Sequence, residues 1–201
     1  MTEVVKLGFI LMVVAVIAAG SLGFVNGFTA PLIAQQKEQA KLLAMETAAS
    51  TIISDGSEVS FDSLAIPGLA NPYSSADQVL SVVGVYSEGH LRGFLFIAYG
   101  RGYSSTIQTM VACGTDGIVT GTGILFQQET PGLGANVTNP ERLTAAFNGR
   151  SSDGLALKKD GGDIDAITGS TITSRAVTLS VRRGLEAMEA AGLFTEGGSS
   201  L

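Results

Sequence analysis

Asp165-Ala166-Ile167-Thr168-Gly169-Ser170-Thr171-Ile172-Thr173-Ser174-Arg175-Ala176-Val177 is the stretch that decides how this chain folds. Thr168, Ser170, Thr171, Thr173 and Ser174 place five hydroxyls within seven positions. Gly169 permits a turn where a side chain would clash. Beyond it, Val177, Val181, Gly184, Leu185 and Met188 recur at helical spacing on one face. The hydroxyls therefore sit where a helix begins. The first backbone N–H groups of a helix are unpaired and its dipole is positive there, so a phosphate is favoured at that end.

By composition alone the same residues also read as a helix N-cap, since Ser and Thr are preferred caps. A cap needs one hydroxyl, and this stretch supplies five. Residue order adds more. Asp165-x-Ile167-Thr168-Gly169-Ser170-Thr171 resembles the flavinylation motif of the FMN-binding domain family, with Ser170 where that family mostly has Ala. The resemblance implies that Thr171 is esterified to the phosphate of FMN. It also implies that Asp165, Thr168, Gly169, Ser170, Thr173 and Ser174 surround the cofactor.

Upstream, Gln127-Gln128-Glu129-Thr130-Pro131-Gly132-Leu133-Gly134 is a tight turn by chemistry, because Pro131-Gly132 suits the two central positions. Glu129, Thr130, Gly132, Leu133 and Gly134 match the same family's E-T-P-G-L-G segment residue for residue, with Gln127 where His is frequent. The resemblance implies that this loop holds the isoalloxazine ring. Gly100-Arg101-Gly102-Tyr103 is a flexible link by composition, and it resembles the family's G-x-G-Y segment, which places Tyr103 at the cofactor.

Between these motifs and the N-terminus the chain reads as β-hairpins. Leu80–Tyr86 and Leu91–Tyr99 flank Ser87-Glu88-Gly89-His90, and Thr106–Ala112 and Ile118–Phe126 flank Gly114-Thr115-Asp116-Gly117. Enrichment in β-branched and aromatic residues around Gly-containing turns is the hairpin signature. Asp55 to Asp77 is polar and rich in breakers, and reads as loop or short strands. Asn139-Pro140 opens a short helix to about Phe147, and Leu155-Ala156-Leu157 reads as a brief strand.

The thirty residues from Leu7 to Gln36 carry no charge, and Leu7–Phe28 supplies the roughly 20 apolar residues that span a bilayer as a helix. The run is longer than the apolar core of a signal peptide. An uncleaved single-pass anchor is expected. Ala15, Ala19, Gly23 and Gly27 form a stripe of small residues, the pattern that lets membrane helices approach closely. Pro31 is expected to end or kink this helix, and Gln35–Ser54 to form a second. The expected layout is an anchor at 1–30, a helical and loop linker at 31–78, the FMN-binding domain at 79–192 and a polar tail at 193–201. The fold class is α+β, antiparallel hairpins with flanking helices.

Composition excludes other classes. The chain has 201 residues and a net charge of −6, without the clustered Lys and Arg that nucleic acid requires. Cys113 is the single cysteine and His90 the single histidine, so no intrachain disulfide, iron–sulfur cluster or Ser-His-Asp set built on a second His can form. His90 reads as a turn residue, and no metal site is expected.

Together the anchor and both motifs resemble two related families, the G subunits of Rnf-type ion-translocating ferredoxin:NAD+ oxidoreductases and the C subunits of Na+-translocating NADH:quinone reductases. The second tends to have Leu-Trp where this chain has Tyr103, and this chain has no Trp. The resemblance implies an electron-carrying subunit with covalent FMN and no turnover of its own. Implied partners are the other membrane subunits, a flavin transferase that uses FAD and Mg2+, and the lipid bilayer of the cell (inner) membrane. The FMN-binding domain is expected on the extracytoplasmic side. An anchored extracytoplasmic binding protein without cofactor and a flavin-dependent reductase of small molecules are the competing classes.

Overall fold

A computed structural model describes residues 2–53, 57–73 and 78–194. The chain divides into two compact units, Met1–Leu42 and Leu43–Leu201. The expected tail at 193–201 lies almost entirely outside the described residues.

Helix α1 runs without interruption over Thr2–Ile52, with Pro31 inside it. Pro31 thus does not end the helix, and Gln35–Ser54 is not a separate one. The physical reason is local. A proline removes one N–H from the ladder, and the following run, Ala34-Gln35-Gln36-Lys37-Glu38-Gln39-Ala40-Lys41-Leu42, consists of strong helix formers. The helix is also long and apolar enough to cross a membrane.

The second unit is built on a five-stranded antiparallel meander in the order β1-β2-β3-β4-β5. The strands are β1 (Val59–Leu64), β2 (Val82–Ser87), β3 (His90–Arg101), β4 (Thr106–Gly114) and β5 (Val119–Phe126). β1 falls in the stretch read as loop or short strands. Glu88 and Gly89 both have positive φ, 53° and 78°. That is the backbone of a two-residue hairpin turn matching the twist of the strands. His90 follows this turn as the first residue of β3. Leu155-Ala156-Leu157 is not a strand. Leu157 makes only an isolated parallel bridge to Ile164, within a run of short 3-10 turns.

Alternation along β3 sends side chains to both faces of the sheet. Phe94, Phe96 and Ala98 join Val111, Val119, Val177, Val181, Leu185 and Met188 in the main core. Leu95 joins Val85, Met110 and Ala112 beneath Ala48, Ala49 and Ile53, so the last turns of α1 cover the other face. Helix α3 (Thr171–Ala190) lies on β3 and β4, and α2 (Pro140–Phe147) lies on β5. Each of the large apolar side chains that α3 buries contributes about 1.5–3 kcal/mol.

Two glycines set the position of α3. A Cβ on Gly100 would strike the backbone of Ala176, and one on Gly184 would strike the ring of Phe96. Without those atoms the helix settles directly on β3. Its N-terminus is thereby brought beside the β3–β4 loop.

Candidate functional site

Two turns of the same kind face each other at the N-terminus of α3. In Thr130-Pro131-Gly132-Leu133 the Leu133 N–H donates to the Thr130 carbonyl at 3.1 Å, and Gly132 has φ 77°. In Ile167-Thr168-Gly169-Ser170 the Ser170 N–H donates to the Ile167 carbonyl at 2.9 Å, and Gly169 has φ 78°. Glycine after a residue of ordinary negative φ is the requirement of a type II turn. Leu133 reaches from the first turn to the second, where a Cβ on Gly169 would lie 3.0 Å from its Cδ2.

Between the turns lies a cleft of about 460 Å³, lined by Tyr103, Glu129, Thr130, Leu133, Gly134, Gly169, Ser170, Thr171, Ile172 and Thr173. This is within the usual size of a small-molecule or cofactor site. Tyr103 is 74% exposed and Ile172 53% exposed, so the rim is apolar and open.

Glu129 organises the wall. Its Oε1 accepts from the backbone N–H of Ser104 and Ser105, both at 3.0 Å, and from the Ser105 hydroxyl at 3.3 Å. Its Oε2 accepts from the Tyr103 N–H at 3.0 Å and from the Thr173 hydroxyl at 2.7 Å. The side chain is buried, and burial alone would push its pKa up. The Thr173 hydroxyl and the three backbone N–H groups outweigh burial and hold it below the usual carboxylate value. Glycines make the room: a Cβ on Gly102 would lie 2.6 Å from Glu129 Oε1, and one on Gly134 would lie 2.8 Å from both Glu129 Cβ and Thr173 Oγ1.

At the helix start, Ser170 occupies the cap position but makes no side-chain cap bond. Its Oγ is buried and lacks a hydrogen-bond partner among the described residues. Thr171, the first helical residue, has a half-buried side chain on the cleft wall, and its hydroxyl has no partner among the described residues. Ser174 closes the loop from behind, accepting from the Ile167 N–H at 2.9 Å and donating to the Ser170 carbonyl at 3.0 Å. An orphaned buried hydroxyl, an unpaired threonine and free helix N–H groups together fit an anionic group such as a flavin phosphate.

Of the thirteen expected site residues, nine line the cleft: Tyr103, Glu129, Thr130, Leu133, Gly134, Gly169, Ser170, Thr171 and Thr173. Gly132 and Thr168 belong to its supporting turns, and Ser174, on α3, braces the second turn from behind and faces the cavity that also holds Asp165 rather than the cleft. Asp165 is not brought to the cleft. It pairs with Lys158 at 2.8 Å, its side chain 79% exposed, and lines a separate cavity of about 400 Å³ with Arg142, Arg150 and Asp163. Sequence reasoning missed Ile172, the Ser104–Ser105 donors and Arg175. The Arg175 guanidinium grips Asp160 through two bonds at 2.7 and 2.8 Å, tying the start of α3 to the 3-10 turn Lys158–Asp160. Nothing local in the sequence pairs these residues. Cys113 is buried, and burial with Asp116 nearby pushes its thiol up to about 12, so it has no part in the site's chemistry.

The cleft lies within residues 102–186, which match the FMN-binding domain family, and residues 1–47 match the RnfG N-terminal region. The G subunit of an ion-translocating oxidoreductase complex from Erwinia tasmaniensis is 34% identical over 192 residues, covering 89% of this chain and 86% of the relative. The chain belongs to this RnfG family. The G subunit of the Na(+)-translocating ferredoxin:NAD(+) oxidoreductase complex of Acetobacterium woodii is 32% identical over 195 residues, covering 91% of this chain and 90% of that one. The solved structure of NqrC from Shewanella oneidensis aligns with 26% identity over 57% of this chain and 59% of that chain, at a TM-score of 0.46. As a member of the RnfG family, the chain joins an FMN-binding domain to a long apolar N-terminal helix.

Proposed function

We propose that this RnfG-family protein relays electrons through an FMN held as a phosphoester on Thr171, within an Rnf-type complex that couples ferredoxin and NAD+ chemistry to ion movement. The observation that carries the reading is that the Thr171 hydroxyl and the buried Ser170 hydroxyl, side by side at the start of α3, both lack a hydrogen-bond partner among the described residues. Thr171 Oγ forms the bond to phosphorus and gives up its proton, and AMP leaves as the pyrophosphate bond of FAD breaks on a separate transferase with Mg2+. Bound flavin supplies one- and two-electron chemistry, the part protein side chains do poorly. The protein's share is to hold it. Ser170 and the first N–H groups of α3 would hold the phosphate, and the Thr130–Gly134 loop and Tyr103 would flank the ring.

Covalent attachment keeps the cofactor from dissociating where cytoplasmic FMN cannot replace it, which suits a domain on the extracytoplasmic side of the cell membrane. Lys6 before the apolar run and Lys37 after it leave the positive-inside rule nearly silent on that orientation. The stripe Ala15, Ala19, Gly23 and Gly27 fits packing against helices of the other membrane subunits. Protein made with the transferase should keep flavin fluorescence through denaturing electrophoresis. Thr171→Ala should lose it, and retained fluorescence in that variant would contradict the assignment.

A further inference from the structure

Glu129 is the only charged side chain among the described residues that line the cleft. It has no spare acceptor capacity directed at a ligand. Three backbone N–H groups and two hydroxyls of Tyr103, Ser104, Ser105 and Thr173 occupy its oxygens, and Gly102 and Gly134 close over it. A carboxylate used only to shape a loop would be replaceable by a neutral acceptor. Five converging donors instead form a cradle for a full negative charge, since such bonds are strongest to an ionised acceptor.

Resting on the reading that FMN occupies this cleft, we propose that Glu129 is a positioning residue with an electrostatic task. It fixes the 102–105 loop and the start of α3, and it sets a permanent negative charge beside the ring that makes the bound flavin harder to reduce. Reduction adds two electrons to the ring, with protons from solvent balancing part of the added charge. A fixed anion in a partly dry wall opposes whatever negative charge remains. The neighbouring charges do not cancel it. Asp160 and Arg175 are paired with each other, Lys158 is paired with Asp165, and none of the four lines the cleft.

The test uses full-length protein in detergent, made with the flavin transferase, as wild type, Glu129→Gln and Thr173→Val. Intact mass first establishes that FMN is attached. Spectroelectrochemical titration, with dithionite supplying electrons through mediators and buffer supplying protons, then gives the midpoint potential. Glu129→Gln should shift the reduced-to-oxidised ratio at a fixed potential toward reduced on the order of tenfold. Thr173→Val keeps the charge, so its potential at neutral pH should move by less than that of Glu129→Gln. Because it removes a donor to the ionised form, its acid-side break in potential against pH should move to higher pH. That second arm decides the matter if Glu129→Gln does not fold. Flavin-loaded Glu129→Gln with the wild-type potential, or an unmoved break in Thr173→Val, overturns the proposal. Absence of FMN from wild-type protein made with active transferase removes the reading beneath it, an outcome distinct from an unchanged potential.

Discussion

The Thr173 hydroxyl donates to Glu129 Oε2 at 2.7 Å across 44 residues of chain, inside the protein. This bond joins the first turn of α3 to the loop after β5, and so holds together the two walls of the cleft. A hydrogen bond to a charged group is worth about 1.5–3 kcal/mol, and breaking one partner of a buried pair costs at least as much. Thr173→Val should therefore lower stability by about 1.5–3 kcal/mol. Glu129→Ala, which strands four donor residues, should cost more. Thermal melts of detergent-solubilised protein check both, and a Thr173→Val melt equal to wild type would contradict the coupling.

Acid should act through the same carboxylate. Its folded pKa lies below the ordinary value, so the stability it contributes is present above the unfolded carboxylate range and is lost as pH falls through the folded pKa. Wild-type stability should decline from about pH 5 downward as the unfolded carboxylate begins to take up its proton. In Glu129→Gln the baseline is lower and that segment of the decline is shallower. Denaturant titrations at stepped pH give the two slopes, and identical slopes would exclude Glu129 as a source.

Gly134 is a packing glycine rather than a turn glycine. A Cβ there would lie 2.8 Å from both partners of the Thr173–Glu129 bond. Gly134→Ala should cost about 1–3 kcal/mol, the usual effect of overpacking, and slow flavin attachment. Gly123→Ala is the control, because nothing lies within 4 Å of the added atom and its φ is ordinary. Equal attachment rates in both variants would show that the cleft wall is more yielding than its contacts indicate.

On α1 the small residues lie on an uncovered surface, and a Cβ on Gly23 or Gly27 would meet nothing within 4 Å. Gly23→Leu should weaken packing against a partner helix in lipid by about 1 kcal/mol or more. The domain would still fold and take up flavin. Recovery of the other subunits on affinity purification is the measure, with Val14→Leu as the off-stripe comparison. Equal recovery would reduce the stripe to lipid-facing surface.

Much of this architecture was legible in the sequence for identifiable reasons. The β2–β3 and β4–β5 hairpins announced themselves because Glu88-Gly89 and Asp116-Gly117 have few other uses between β-branched runs. The buried face of α3 followed from the spacing of Val177, Val181, Leu185 and Met188. The sites where reading failed are those settled by tertiary context. Pro31 costs one backbone bond, and the strong helix formers after it outweigh that loss. β1 is an edge strand whose central residues are exposed, so it lacks the apolar alternation of an ordinary strand. Thr171 and Ser170 face the cleft because the turn at Gly169 aims them there. Asp165 lies before that turn and points to Lys158 on the far side of the loop, an outcome that no spacing rule anticipates.

Thr171 as the point of flavin attachment is the proposal on which the others depend. Intact mass spectrometry of the full-length chain, made with and without the flavin transferase, tests it most directly. Wild-type protein made with the transferase should gain the mass of FMN less one water, located by fragmentation on Thr171. Thr171→Ala should gain nothing while keeping the thermal melt of flavin-free wild type. A flavin-sized increment on Thr171→Ala, or one mapped to Thr168, Ser170 or Thr173 in wild type, would contradict that attachment.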